Sequence, residues 1–221
     1  MRQELFNALT ETLLMVSVSG IFTLVIGLSL GILITLTGPK QIFANRILHK
    51  ILETMIRGAQ SLPYVIFMII LMPITGYLMS KKESWLVAIL PLSLATIPYF
   101  AHQCQEAFNK IPASLIELTT FLGARPIPMI RKVLLPEAWP GIIQAFTNTL
   151  VQLVGYSAIA GLLGAGGLGS LAIQKGYPNF QARYVFATAI ILILFIQGLK
   201  SLGNYFAKKL SELSTNEGII S

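Results

Sequence analysis

Apolar residues run along this chain in long charge-free windows, not in the alternating or one-sided stripes of a soluble protein. The windows are Thr12–Pro39, Gly58–Ser80, Ser84–Gln105 and Ala138–Gln174, and a fifth, Tyr184–Phe206, contains a single charge, Lys200, near its end. A helix that crosses a bilayer needs roughly 20 mostly apolar residues. The Gly38-Pro39 pair trims the first window to residues 12–37. The fourth is too long for one crossing, so residues 138–160 are read as the span. The Gly-rich remainder is read as a loop or re-entrant segment. The pattern predicts an all-α, polytopic integral membrane protein with one domain over residues 1–221. Its five transmembrane helices are expected at 12–37, 58–80, 84–105, 138–160 and 184–206, with a loop at 106–137. The polar tail 211–221 is expected to be mobile.

Composition and charge then fix the sidedness. Hydrophobic residues make up 54% and charged residues 11%, against about 25% charged in a soluble domain. The net charge of +7 is read as a topology signal and not as a nucleic-acid footprint, because no nucleic-acid-binding motif accompanies it. Eleven basic residues fall in the linker 40–57, the loop 106–137 and the C-terminal end; five fall on the other side, at Arg2, Lys81, Lys82, Lys175 and Arg183. The N-terminus is therefore expected outside, with the C-terminus and the 106–137 loop in the cytoplasm. The first window exceeds the roughly 7–15 residues of a signal-peptide core, so it is expected to be retained as a span.

Catalytic chemistry has little to stand on. The chain has no Asp, and its nine Glu lie outside the span cores. Cys104 is the only cysteine, so no internal disulfide exists. Cys104 and His102 together do not make a metal site. No cofactor, no metal and no enzymatic activity are expected.

Within the spans, Pro63, Pro73, Pro91 and Pro98 each remove a backbone donor. Gly27 and Gly31 form a GxxxG pair that permits close helix approach. Asn148, Gln152 and Tyr156 recur at i, i+4 and i+8 and share a helix face. Either they bond to neighbouring helices or they line an aqueous path, with Ser157 beside the outer gate.

The loop is the most informative stretch, ELTTFLGARPIPMIRKVLLP from Glu117 to Pro136. Pro112 suits the first turn of a short helix. Leu115, Leu118 and Leu122 give it one apolar face, and Gly123 is a natural C-terminal cap. A second short helix is expected to start near Pro128 and to end by Pro136. The stretch resembles the cytoplasmic signature of binding-protein-dependent ABC importer permeases: E-A-A, three residues, G, nine residues, I-x-L-P. Glu117, Gly123, Leu135 and Pro136 match, Val133 stands for Ile, and Leu118 and Thr119 replace the two alanines. The resemblance implies that Glu117, Leu118, Leu122, Gly123, Ala124, Leu135 and Pro136 belong to the loop that an ATPase subunit pushes.

Gly164-Ala165-Gly166-Gly167-Leu168-Gly169 satisfies G-x-G-x-x-G, but no strand precedes it and no acidic residue follows until Glu212, so the dinucleotide reading fails. No phosphate-binding G-x-x-x-x-G-K-[ST] occurs either, so ATP hydrolysis is expected elsewhere. The glycines are expected to make a tight external turn. Together with the stretches 154–161, 57–63 and 130–138, this run resembles the methionine importer permease subfamily. That resemblance implies a homodimer in the bacterial inner membrane, two cytoplasmic ATP-binding-cassette ATPase subunits and an extracytoplasmic substrate-binding protein. Methionine, as one or both enantiomers, is the implied substrate; another amino acid or a quaternary-amine osmoprotectant stays open. An ion-coupled carrier or channel is the alternative from a different class. It is disfavoured because the spans hold almost no ionisable groups.

Overall fold

The computed structural model describes residues 1–39, 43–78, 84–176 and 181–219, with the side chains of Thr120, Pro126 and 213–219 outside the description. Every element among these residues is helical. The parts of the charge argument that rest on Lys40, Lys81 and Lys82, and residues 79–80 of the second expected span, lie outside the described residues.

Helix α1 runs Arg2–Leu36. It starts ten residues before the expected span because nothing between Met1 and Leu36 breaks a helix. At 1.5 Å per residue it is about 52 Å long, so its first turns extend beyond a hydrocarbon core of about 30 Å. Its buried side is built from small residues, including Ser19, Gly20, Thr23, Gly27 and Gly31. A Cβ on Gly27 would meet the Phe100 ring at 2.8 Å, and one on Gly31 would meet the Cys104 Cβ at 2.6 Å. The GxxxG pair therefore seats α1 against α4 (Ser84–Asn109). Between lipid-solvated helices, association depends on this close packing and on interhelical hydrogen bonds. The Thr23 and Thr96 hydroxyls supply one such bond, at 2.8 Å.

The second expected span is corrected in kind. Two helices occupy the region, α2 (Arg46–Ser61) and α3 (Tyr64–Leu78), meeting at 94°. Pro63 sets the break: it disfavours helical angles for Leu62, which is extended at ψ 126°. Asn45 caps α2, accepting the Leu48 N–H at 3.1 Å. Charge-free windows cannot find this element, because α2 carries Arg46, Lys50, Glu53 and Arg57.

After α4 come α5 (Ala113–Phe121) and α6 (Pro126–Met129), then a π-helical turn (Ile130–Leu134) that runs into α7 (Leu135–Leu162). The expectation that the second loop helix stops by Pro136 is therefore overturned. In the wider turn, Leu135 N–H reaches back five residues to Ile130 O. Pro136 then falls in the first turn of α7, where a missing donor costs least. A short α8 (Gly167–Leu171), a second π-helical turn (Ala172–Gly176) and α9 (Ala182–Ile219) complete the chain. The tail expected to be mobile continues α9 as helix to Ile219.

The core has two main parts. One gathers Met15, Met68, Leu92, Leu153 and Ala165. The other gathers Phe100, Cys104, Met129, Leu134 and Ile142, and it ties the 106–137 loop to α1, α4 and α7. Three described helices are long and apolar enough to cross a membrane, or five if each bent pair counts as one span.

Candidate functional site

Two features stand out on this scaffold: the loop around α5 and a cavity at the α2–α3 break.

In the loop, Pro112 O accepts the Leu115 N–H at 3.1 Å and opens α5. Gly123 closes it at φ 74°. The Ala124 N–H reaches Thr119 O at 3.1 Å, the six-to-one bond of a Schellman cap. The apolar side chains divide between two sides. Leu115 and Ile116 pack inward with Ile111, Met129 and Leu134. Leu118, Phe121, Leu122 and Ile127 point out, and Phe121 is 90% exposed. Glu117, Gly123, Ala124 and Pro136 are also exposed, while Leu135 is half-buried. Leu115 is thus separated from the Leu118–Leu122 ridge with which periodicity had grouped it. Phe121 and Ile127, absent from the sequence reading, complete that ridge. Their signal was present, since Phe121 stands three residues after Leu118. A monomer that leaves such a ridge bare on a rigid, capped helix presents an interaction surface.

The cavity has a volume of about 230 Å³. Gln60 Nε2 donates to Pro98 O at 2.9 Å. Pro98 stands near the middle of α4, so the break packs against the central turns of that helix. Irregular backbone within a membrane protein is tolerated where it is buried in protein or lines a cavity. Gln60, Tyr64, Tyr99, Gln152 and Tyr156 line the space, and no charged side chain does among the described residues. The Tyr64 and Tyr156 rings are stacked, with centroids 3.7 Å apart and planes 4° from parallel. Tyr64 Oη donates to Tyr156 O at 3.1 Å, and Gln152 Nε2 donates to Tyr156 Oη at 2.6 Å. Gln152 Oε1 is buried without a hydrogen-bond partner.

The four residues expected on the path are therefore not all together. Gln152 and Tyr156 meet at the cavity. Asn148 is exposed on the same helix, beyond the cavity lining. Ser157 is buried, and its hydroxyl donates to Val154 O at 2.8 Å. Tyr64, Tyr99 and Gln60 were not anticipated: Tyr64 and Gln60 are arranged by the break, and Tyr99 lines the space from α4.

At the opposite end of α1, the Gly-rich run forms a turn and the start of α8. Gly164, Gly166 and Gly167 all have positive φ, which glycine adopts without strain. Glu11 and Thr12 accept the Gly167 and Leu168 N–H groups. Nearby, Lys175 and Tyr184 donate to Glu4. These bonds, Lys175's first, hold the Glu4 carboxyl well below its ordinary range.

Comparison with known proteins gives a consistent picture. Residues 24–212 match the family model described as binding-protein-dependent transport system inner membrane component. The chain is 34% identical over 205 residues to the probable D-methionine transport system permease protein MetI of Vibrio cholerae, covering 93% of this chain and 91% of that one. It is 40% identical over 157 residues to D-methionine transport system permease protein MetI of Escherichia coli K12, covering 71% and 72%. A solved inward-facing structure of the MetNI methionine ABC transporter superposes with a TM-score of 0.91 at 36% identity, covering 95% of this chain and 97% of that one. A crystal structure of an amino acid ABC transporter with histidines shares the fold, with a TM-score of 0.74 at 15% identity.

Proposed function

The chain belongs to the binding-protein-dependent transport system inner membrane component family, and from that premise we propose that it is the membrane-spanning permease subunit of an ATP-driven methionine importer. The observation that carries the reading is the bare ridge of Leu118, Phe121, Leu122 and Ile127 on a helix fixed by its Gly123 cap. Such a surface fits a protein groove, and the partner is a cytoplasmic ATPase subunit. Two copies of the chain form the permease, each engaging one ATPase copy, and an extracytoplasmic binding protein delivers the substrate. Methionine is the substrate of choice because similar permeases bear that name.

The chain supplies a path and a lever, not chemistry. ATP binding draws the ATPase subunits together, and the docked loops follow. The second core cluster joins each loop to α1, α4 and α7, so the motion passes to the spans and switches access from one side to the other. Glu117, Leu118, Leu122, Gly123, Ala124, Leu135 and Pro136 carry the coupling. Asn148, Gln152 and Tyr156 mark the path, and Ser157, buried and bonded to Val154 O, packs behind them. The N-terminus faces outward and the C-terminus lies in the cytoplasm.

Uptake of radiolabelled methionine tests the whole reading, in cells lacking the chain and then regaining it. Restored uptake is expected, together with co-purification of an ATPase subunit. Purification without any ATPase, with uptake unchanged by the chain, would remove the reading.

A further inference from the structure

We propose that the cavity at the α2–α3 break is a transit subsite for a single zwitterionic amino acid whose apolar, sulfur-bearing side chain lies against the Tyr64–Tyr156 pair while its α-ammonium meets the Gln152 amide. The proposal rests on the methionine-permease reading and assigns the substrate a place within the path.

Size is the first argument. The cavity holds about 230 Å³, below the range of about 300–1,000 Å³ typical of pockets for drug-sized ligands. One small molecule fills it. The second argument is the lining. The two stacked tyrosine rings cover each other's inner faces and line the space with what remains, and a thioether is soft, polarisable and often meets aromatic rings at their edges. Third, the Gln152 amide is half satisfied. Its nitrogen is bonded to Tyr156, and its oxygen is buried without a donor. A buried acceptor of this kind costs free energy until a donor arrives. An ammonium N–H supplies one, with a charge-assisted bond. Last, no Arg or Lys stands in the lining to clamp a carboxylate. Of the substrate's two charged groups only the ammonium is therefore held, which suits a site that must release it on every cycle.

The break places the subsite where movement reaches it. Gln60 belongs to the end of α2, Leu62 to the break, Tyr64 to the start of α3, and Gln152 and Tyr156 to α7. A change in the 94° angle alters the cavity without disturbing either helix.

Ala59 is exposed and lines the cavity, and its side chain makes neither of the proposed contacts. The test uses the assembled transporter in liposomes, carrying Ala59→Cys with Cys104→Ala so that each copy of this chain keeps one thiol, and labelling is read on this chain alone. A small water-soluble thiol reagent is applied with and without methionine, in each nucleotide state. In at least one state, methionine at ten times its half-protecting concentration is expected to slow labelling about tenfold, and glycine at the same concentration is expected to protect less. Adding Gln152→Leu removes the amide but keeps the volume, and is expected to weaken protection about tenfold. Labelling unchanged by methionine in every state, in a transporter that still imports methionine, overturns the subsite and leaves the permease reading intact. Equal protection with and without Gln152→Leu overturns the ammonium contact. If the native transporter imports no methionine, the permease reading fails and takes the subsite with it.

Discussion

Glu11 Oε2 accepts a hydrogen bond from the backbone N–H of Gly167 at 2.6 Å, across 156 residues of sequence. Next to it the Thr12 hydroxyl accepts the Leu168 N–H at 2.9 Å. Gly166 and Gly167 make this possible, because a Cβ on Gly166 would stand 2.6 Å from the Glu11 carboxylate and one on Gly167 2.7 Å from the Thr12 hydroxyl. The N-terminal part of α1 is thereby stapled to α8, and Glu4 extends the staple to Lys175 and Tyr184. Glu11→Ala is expected to lose about 1.5–3 kcal/mol, the worth of a hydrogen bond to a charged group. Glu11→Gln, which keeps an acceptor oxygen, should lose less. Thermal unfolding of the purified protein checks this, and an unchanged midpoint for Glu11→Ala would show that the staple contributes nothing.

A second prediction separates two glycines of similar sequence context. A Cβ on Gly169 would collide with the backbone of Ala158, whereas one on Gly155 meets nothing within 4 Å. Gly169→Ala must therefore push α8 away from α7, an overpacking cost of about 1–3 kcal/mol. Gly155→Ala should leave folding untouched. The yield of monodisperse protein in detergent measures both. Equal yields for the two variants would mean that the α7–α8 contact yields easily.

How far these features could be read in advance depends on their range. The all-helical class and the Gly123 cap followed from local composition and backbone preference. The α2–α3 break did not, because α2 is amphipathic and charged and was counted as a polar linker. Pro63 was noted, but as one kink among four. Its effect differs from that of Pro73, Pro91 and Pro98, which stay inside continuous helices. The staple was invisible for another reason. Glu11 sits one residue outside a charge-free window, and its partner is a backbone N–H, which leaves no trace in side-chain pattern. The cavity lining was half legible: Gln152 and Tyr156 lie on one helix, but Tyr64 and Gln60 reach them only through the break.

The loop gives a third prediction. Phe121 is exposed and outside the core, so Phe121→Ser and Leu118→Ser should not impair folding. Together they should reduce retention of the ATPase subunit on purification and lower uptake in proportion. Gly123→Val forces a β-branched residue into a left-handed conformation, at about 1–2 kcal/mol, and should loosen the α5 cap. Glu117→Lys reverses an exposed charge on the same helix. Either change should leave ATP hydrolysis running with less substrate moved. Full retention and uptake in the Leu118→Ser/Phe121→Ser protein would place the partner elsewhere.

Topology is a fourth. Basic residues fall eleven to five in favour of the side bearing the 106–137 loop, and the positive-inside rule puts that side in the cytoplasm. A reporter active only in the cytoplasm should work when fused after Lys132 and fail after Lys175. The reverse result would invert the protein and remove the ATPase from reach of α5.

The last prediction distinguishes Asn148 from Ser157 on α7. Both were grouped by sequence with a polar path. Yet Asn148 is exposed on the protomer, whereas Ser157 is 2% exposed and bonded to its own helix at Val154 O. A polar amide left toward lipid is costly, so the surface bearing Asn148 belongs against a second copy or an aqueous path. Ser157 instead packs beside the buried Leu153 and Val154, where a hydroxyl satisfied within its helix serves packing. Single cysteines at the two positions, each with Cys104→Ala, put this to a water-soluble thiol reagent during ATP turnover. Asn148→Cys is expected to be labelled, at a rate that changes between nucleotide states, and Ser157→Cys is expected to resist. Because sulfur replaces oxygen with little change in shape, Ser157→Cys should fold normally, so its resistance reports access and not damage. Labelling of Ser157→Cys with Asn148→Cys inert would exchange their roles and put the buried side of α7, not its exposed side, on the path.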